Sequence, residues 1–281
     1  MKKIWKVLFI VLVSFGMIGC TSTNRPIDHY YAIIYEMYDR MDYELLYMED
    51  DKKFNEEMTA IEELKKRSSE IELTATDDLE AQPEIDQSAE KLIETIKEAR
   101  PIIIKSIKLQ EKDDYSYVDK ENEMDEKFYN AHSLLEGDIS KILVSTNSSG
   151  RREYLDFYYT SSSSAISKTE AAINNYYILT IEDNVSDKEI DKLNKLISEG
   201  REELDDIKTL KIEKEDLEVR EYIEEKIEEA LDQTEDGIKY LKNQDIPKIN
   251  KKIRELKILE MKIDKDIYYN IDIKPYLNFE D

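Results

Sequence analysis

Apolar residues along this chain recur at alternating steps of four and three, and short polar segments separate one run from the next. The first run consists of Ile27, Tyr31, Ile34, Tyr38, Met41, Leu45 and Met48. This spacing places the apolar side chains on one face of a helix that packs against other helices. The pattern predicts a first helix that begins near Asp28 and continues through Met48.

The same periodicity predicts seven further helices. Their apolar stripes cover residues 54–71, 85–103, 124–142, 151–181, 190–207, 223–241 and 249–267. Pro101 falls inside one stripe, where it predicts a kink, and Pro247 suits the first turn of the last helix. With only six glycines and five prolines, the chain is poor in the turn residues that strands need. We therefore expect an all-α fold: long amphipathic antiparallel helices, about eight in the mature chain, that form one or two bundles.

The first twenty residues follow a different pattern. Three lysines precede an apolar run from Val7 to Val13, a layout typical of a bacterial secretory signal. The segment Met17-Ile18-Gly19-Cys20 resembles the lipobox of bacterial lipoproteins. The resemblance implies that residues 1–19 are removed and that Cys20 carries an acyl chain such as palmitate. An uncleaved membrane helix is the alternative, but its apolar stretch is shorter than the roughly 20 residues that a span needs.

The lipobox also predicts where the protein lies and how it is divided. We expect a lipid anchor on Cys20 to hold the chain on the outer face of a bacterial membrane. Residues 20–27 are then a polar tether, 28–145 a first helical bundle and 151–275 a second. The small polar segment 146–150 predicts the linker between them. Duplication of one bundle stays open, because few identical residues align between the halves.

Charge narrows the classes of partner. The chain has 65 acidic and 41 basic residues, for a net charge of −24, and the predicted signal peptide removes three lysines and no acid. Nucleic acid is therefore excluded as a partner, since its phosphates require a basic surface. Residues 28–60, with their tyrosine-rich helix, are similar to uncharacterised YiiG-like helical lipoproteins. That resemblance implies no functional residue.

The sequence contains no recognisable catalytic arrangement. It has two histidines, His29 and His132, and neither a zinc-protease motif nor a glycine-rich phosphate loop. Ser88 and Lys91 have the spacing of penicillin-binding enzymes without the partner motifs. His132 is expected beside the core and His29 in solvent. We therefore expect no enzyme activity, no cofactor and no metal site.

Tyrosine is the residue type that stands out, with 19 copies. An aromatic ring with a polar tip buries a large area at low entropic cost, which suits an interface. One interpretation is that the cluster after the linker forms an interaction surface, which consists of Arg151, Arg152, Tyr154, Phe157, Tyr158 and Tyr159. The other is that tyrosines off the first stripe, such as Tyr30, Tyr35, Tyr43 and Tyr47, line a broad core.

Two functional hypotheses follow from these observations. The first is a non-enzymatic protein-interaction module, of adaptor, inhibitor or immunity type, that presents this surface to an envelope protein. The second is a small-ligand-binding lipoprotein with a tyrosine-lined groove between the two halves. The sequence alone identifies neither the partner nor the ligand.

Overall fold

Every regular element that the structure describes is a helix. The structure, a computed structural model, describes residues 26–73, 81–145, 153–181, 185–210 and 217–268. The helices in these ranges are α1 (Pro26–Arg40), α2 (Tyr43–Leu46), α3 (Asp51–Ser69), α4 (Ala81–Gln110), α5 (Val118–Ser145), α6 (Glu153–Thr180), α7 (Asp187–Lys208), α8 (Leu217–Asn243) and α9 (Ile246–Tyr268). The all-α prediction is confirmed. Within these ranges, no helix is both long enough and apolar enough to cross a membrane.

The predicted first helix is two helices. The α-helix that starts at Pro26 ends at Arg40, and Asp42 caps the next, its side chain accepting a hydrogen bond from the backbone N–H of Leu45 at 3.0 Å. An aspartate side chain can accept a hydrogen bond from a backbone N–H in place of a helical carbonyl. The chain therefore turns at Asp42 although the apolar period continues. Met41 and Leu45 are both buried. The prediction of one helix through Met48 is therefore wrong about the backbone, while its core positions are confirmed.

The remaining boundaries follow the predicted stripes closely. Pro101 lies inside α4, which continues as a single helix to Gln110. Ser186 caps α7 through a capping box: its backbone N–H donates to Glu189 Oε2 at 2.7 Å, and its hydroxyl accepts from the Glu189 backbone N–H. Such reciprocal bonds satisfy two donors that a helix start leaves open.

The helices pack around two clusters of buried side chains, and many of them contact the next helix in the chain. In the N-terminal half (residues 26–145), α4 packs on α5, and α1 packs on α3 and α5. In the C-terminal half (residues 153–268), α6 packs on α7 and α8, and α8 packs on α7 and α9. Short turns join α4 to α5 and α8 to α9, so both pairs are antiparallel. The last helix, α9, also contacts α2 and thereby joins the halves.

The tyrosines of the first two helices belong mainly to the core. Tyr30 and Tyr35 are fully buried, Tyr43 is nearly so, and Tyr47 is half-buried. The broad-core interpretation of these residues is confirmed. His132 is buried beside them as expected.

Candidate functional site

The predicted interaction surface lies outside the side chains that the structure describes. Its positions are Arg151, Arg152, Tyr154, Phe157, Tyr158 and Tyr159. The last four belong to the backbone of α6. Cys20 also lies outside the described residues, so the surface and the lipid anchor both stay predictions.

A groove lies between the two halves and encloses about 590 Å³. This volume is within the range of small-molecule binding sites. Helices α1, α2 and α5 line one side of it, and α6 and α9 line the other. We call it the inter-half groove; it is lined by Tyr38, Tyr43, Asn122, Asp125, Glu126, Tyr129, His132, Ser133, Glu136, Asn174, Tyr177, Lys257, Glu260 and Met261.

The wall formed by the N-terminal half is aromatic and closely packed. The ring of Tyr38 lies 4.5 Å from the imidazole of His132, measured between centroids, and Tyr43 lies 4.9 Å from Phe128. Phe128 in turn lies 5.7 Å from His132. These four side chains are buried, whereas Tyr129 at the rim is 57% exposed. Mutual packing fixes the rings of the floor, and one tyrosine remains accessible to a ligand.

The centre of the groove is held by Asp125, which bonds to both halves of the molecule. The Tyr47 hydroxyl donates to Asp125 Oδ1 at 2.6 Å, and the Lys257 ammonium donates to Asp125 Oδ2. Asp125 is 9% exposed. A carboxylate removed from water to this degree requires hydrogen-bonding partners, and here they come from Tyr47, which directly follows α2, and from α9.

Lys257 is one of four polar residues on α9 that bond to the N-terminal half. Asn250 Nδ2 donates to Gln110 Oε1 at 2.8 Å, and Arg254 Nη1 donates to Glu121 Oε1 at 3.3 Å. Residues at these spacings share one face of a helix. We call the contact the polar seam; its pairs are Asn250–Gln110, Arg254–Glu121, Lys257–Asp125 and Lys262–Glu44.

Glu260, on the wall formed by the C-terminal half, has an unusual acidity. Burial raises the pKa of its carboxyl to about 7, and the nearby Glu170 acts in the same direction. A hydrogen bond from the Tyr177 hydroxyl, at 3.5 Å, and the charge of Lys257 oppose that shift. Burial also raises the pKa of Tyr43 and Tyr177, so both are neutral phenols. The groove therefore holds a carboxyl group that is about half protonated near neutral pH.

We expect Glu260→Gln to stabilise the protein progressively as the pH rises. Folding raises the pKa of this carboxyl, so its ionisation lowers the stability of the folded state. This loss of stability is absent below the unfolded pKa, near 4.5, and complete above the folded pKa of about 7. The gain should be near zero at about pH 4 and on the order of 2 kcal/mol at about pH 8. Chemical denaturation at both values measures it. A pH-independent difference between the variant and the wild type would contradict the assigned environment of Glu260.

No pattern in the sequence distinguishes the residues at the centre of this site. Asp125 and Glu260 are two among 65 acids, and their partners are distant along the chain. Only the pairing of α9 with the N-terminal half brings Asp125 and Lys257 together. Among the described residues, no group of three or more histidine, cysteine or acidic side chains is arranged to hold a metal ion.

Comparison with known proteins adds no assignment. No protein-family model, curated protein or solved structure gives a significant match to this chain.

Proposed function

We propose that this protein binds a small extracytoplasmic ligand in the inter-half groove, while a lipid on Cys20 anchors it to the outer face of a bacterial membrane. The observation that carries the proposal is the groove itself. It combines a buried aromatic floor, an exposed tyrosine and polar groups from both halves within a volume suited to a small molecule. Aromatic rings beside polar groups that converge from several helices are a usual feature of a ligand site.

Binding, rather than catalysis, is the role that this arrangement favours. Asp125 accepts hydrogen bonds from Tyr47 and Lys257, and His132 is buried between aromatic rings. Neither group is placed like a nucleophile with an adjacent base. The polar seam fixes how the walls face each other, so the groove is preformed and its affinity is not spent on ordering the site.

A protein partner is the second candidate function. Tyr129, Leu134 and Ile178, on α5 and α6, are large side chains with 43–57% of their surface exposed. Exposed apolar side chains favour contact with another protein where they form one patch. This role would also accommodate the predicted surface at residues 151–159. The two functions can be distinguished, because a bulky residue inside the groove should block a small ligand but not a protein partner.

A thermal-shift screen of metabolites against the full-length protein in detergent tests the proposal. A ligand that binds only the folded state raises the melting temperature with its concentration. The groove can be blocked by Asn174→Trp, because Asn174 is exposed and lines it. Asn130→Trp is the matched control: Asn130 is also an exposed helical asparagine but does not line the groove.

We expect compounds that raise the melting temperature of the wild type and of Asn130→Trp but not of Asn174→Trp. A screen without any such compound would contradict ligand binding. Compounds that stabilise all three proteins equally would show that binding occurs elsewhere.

A further inference from the structure

We propose that the ligand of the inter-half groove is an organic cation: an ammonium group, primary or quaternary, attached to an apolar body. This inference rests on the proposed function, since it assigns a ligand class to the same groove. Its basis is the charge of the lining, the arrangement of the tyrosine rings and the position of an ammonium that the protein itself supplies.

The lining is strongly acidic for its size. Four carboxyl groups line the groove, on Asp125, Glu126, Glu136 and Glu260. Among the described lining residues, Lys257 is the only lysine or arginine, and its ammonium is bound to Asp125. Because Lys257 neutralises Asp125 and Glu260 is partly protonated, Glu126 and Glu136 supply most of the remaining negative charge, which repels anions and attracts cations.

The aromatic lining favours the same class. Tyr129 and Tyr177 line the groove with rings that are at least partly exposed, whereas Tyr38 and Tyr43 are packed into its floor. The face of an aromatic ring carries negative potential, so rings beside carboxylates attract organic cations more than neutral molecules of equal shape. Among the described residues, the carboxyl groups of the groove are not arranged to hold a metal ion.

The protein already places one ammonium group in this kind of environment. Lys257 Nζ lies 5.7 Å from the centroid of the Tyr43 ring while it donates to Asp125. A carboxylate combined with a tyrosine face therefore holds a nitrogen cation within the groove. Glu260 and Tyr177 form a second carboxyl–tyrosine pair on the opposite wall.

The second pair is the position that we assign to the ligand's ammonium. Glu170 and Lys257 are the charged groups that act on Glu260, one raising and one lowering its pKa, and burial sets the net direction upward. A bound cation would stabilise the ionised form. Cation binding should therefore release a proton from Glu260 and become tighter as the pH rises through about 7.

Titration calorimetry on the full-length protein tests the inference. The cation probes are choline, tetraethylammonium, phenethylamine and spermidine. Dimethylbutanol, the neutral carbon isostere of choline, and trimethylacetate, an anion of similar shape, are the matched controls. In the protein, Glu260→Gln removes the proposed counter-charge. Glu123→Gln removes an exposed carboxylate of α5 that does not line the groove.

We expect at least one cation to bind, with its neutral or anionic counterpart much weaker, and with proton release seen as a buffer-dependent heat. Glu260→Gln should weaken binding of that cation about tenfold, because one partly buried counter-charge is lost, and Glu123→Gln should not. Asn174→Trp should abolish binding.

Four results would overturn the inference. Equal binding of choline and dimethylbutanol, or an unchanged affinity in Glu260→Gln, would remove the role of charge and leave the groove as a ligand site. Failure of every cation while the metabolite screen yields groove-dependent neutral or anionic ligands would do the same. Failure of every compound in both experiments would overturn the ligand class and the proposed function together.

Discussion

Gly237→Ala is expected to reduce the free energy of unfolding by about 2–3 kcal/mol. A Cβ atom at this position of α8 would lie 2.5 Å from Cε2 and 2.7 Å from Cζ of the Tyr176 ring. Tyr176 is fully buried, so its ring has no space into which to move. Because cores are packed as densely as crystals, α6 and α8 would have to move apart locally to admit the added methyl group.

Gly137→Ala is the matched control for this substitution. Gly137 lies inside α5, and a Cβ atom there would meet nothing within 4 Å. Alanine in place of glycine in an open helical position should stabilise by about 0.5–1 kcal/mol. Urea denaturation of both variants measures the difference. Similar effects in the two variants would show that α6 and α8 do not approach at Gly237.

A double variant separates the clash from helix propensity. Tyr176→Leu removes the ring that an alanine at residue 237 would meet, so Gly237→Ala should cost much less in that background. An undiminished cost would assign the loss to something other than the Tyr176 ring.

Asp125→Ala is expected to destabilise the protein by about 3 kcal/mol. It removes the acceptor of the Tyr47 hydroxyl and leaves Lys257 facing the groove without its counter-charge. Asp125 is buried and both partners are partly buried, and removing one member of such a pair costs more than the pair itself contributes. The loss should affect the contact between α9 and the N-terminal half. It should therefore weaken ligand binding as well as folding.

The neighbouring Glu126 provides the control for Asp125. It lines the same groove on the same helix but is exposed, so Glu126→Ala should change stability by no more than about 0.5 kcal/mol. Lys257→Met in the background of Asp125→Ala should recover part of the loss, because the uncompensated ammonium is gone. Equal effects of Asp125→Ala and Glu126→Ala would contradict the role of the polar seam.

The helices could be predicted from the sequence because apolar residues at alternating steps of four and three mark the helix faces that pack in the core. The stripe that contains Ile190, Leu193 and Ile197 predicted α7, and all three side chains are buried. The end of α1 could not be predicted in this way. At Asp42 the apolar period continues while the backbone turns, because a side-chain cap rather than a change of hydrophobicity sets the boundary.

The residues of the groove could not be predicted, for a different reason. Their positions depend on which helices pair, and amphipathic spacing does not specify pairing. In the sequence, Arg254 and Lys257 are typical of a solvated helix face. Their partners, Glu121 and Asp125, lie more than 130 positions away in the chain. A tyrosine-lined groove between the halves was a hypothesis from composition. The particular rings and carboxyls required the fold.

The side-chain methyl group of Met261 gives the most direct test of the ligand groove. Met261 lines it, whereas Met58 is buried in α3 away from it. The methionine methyl spectrum of the full-length protein in detergent is recorded during titration with the strongest ligand, and Met261→Leu assigns the reporter signal. We expect the Met261 signal to shift saturably while the Met58 signal stays in place. A ligand that raises the melting temperature and leaves the Met261 signal unmoved would contradict binding in the inter-half groove.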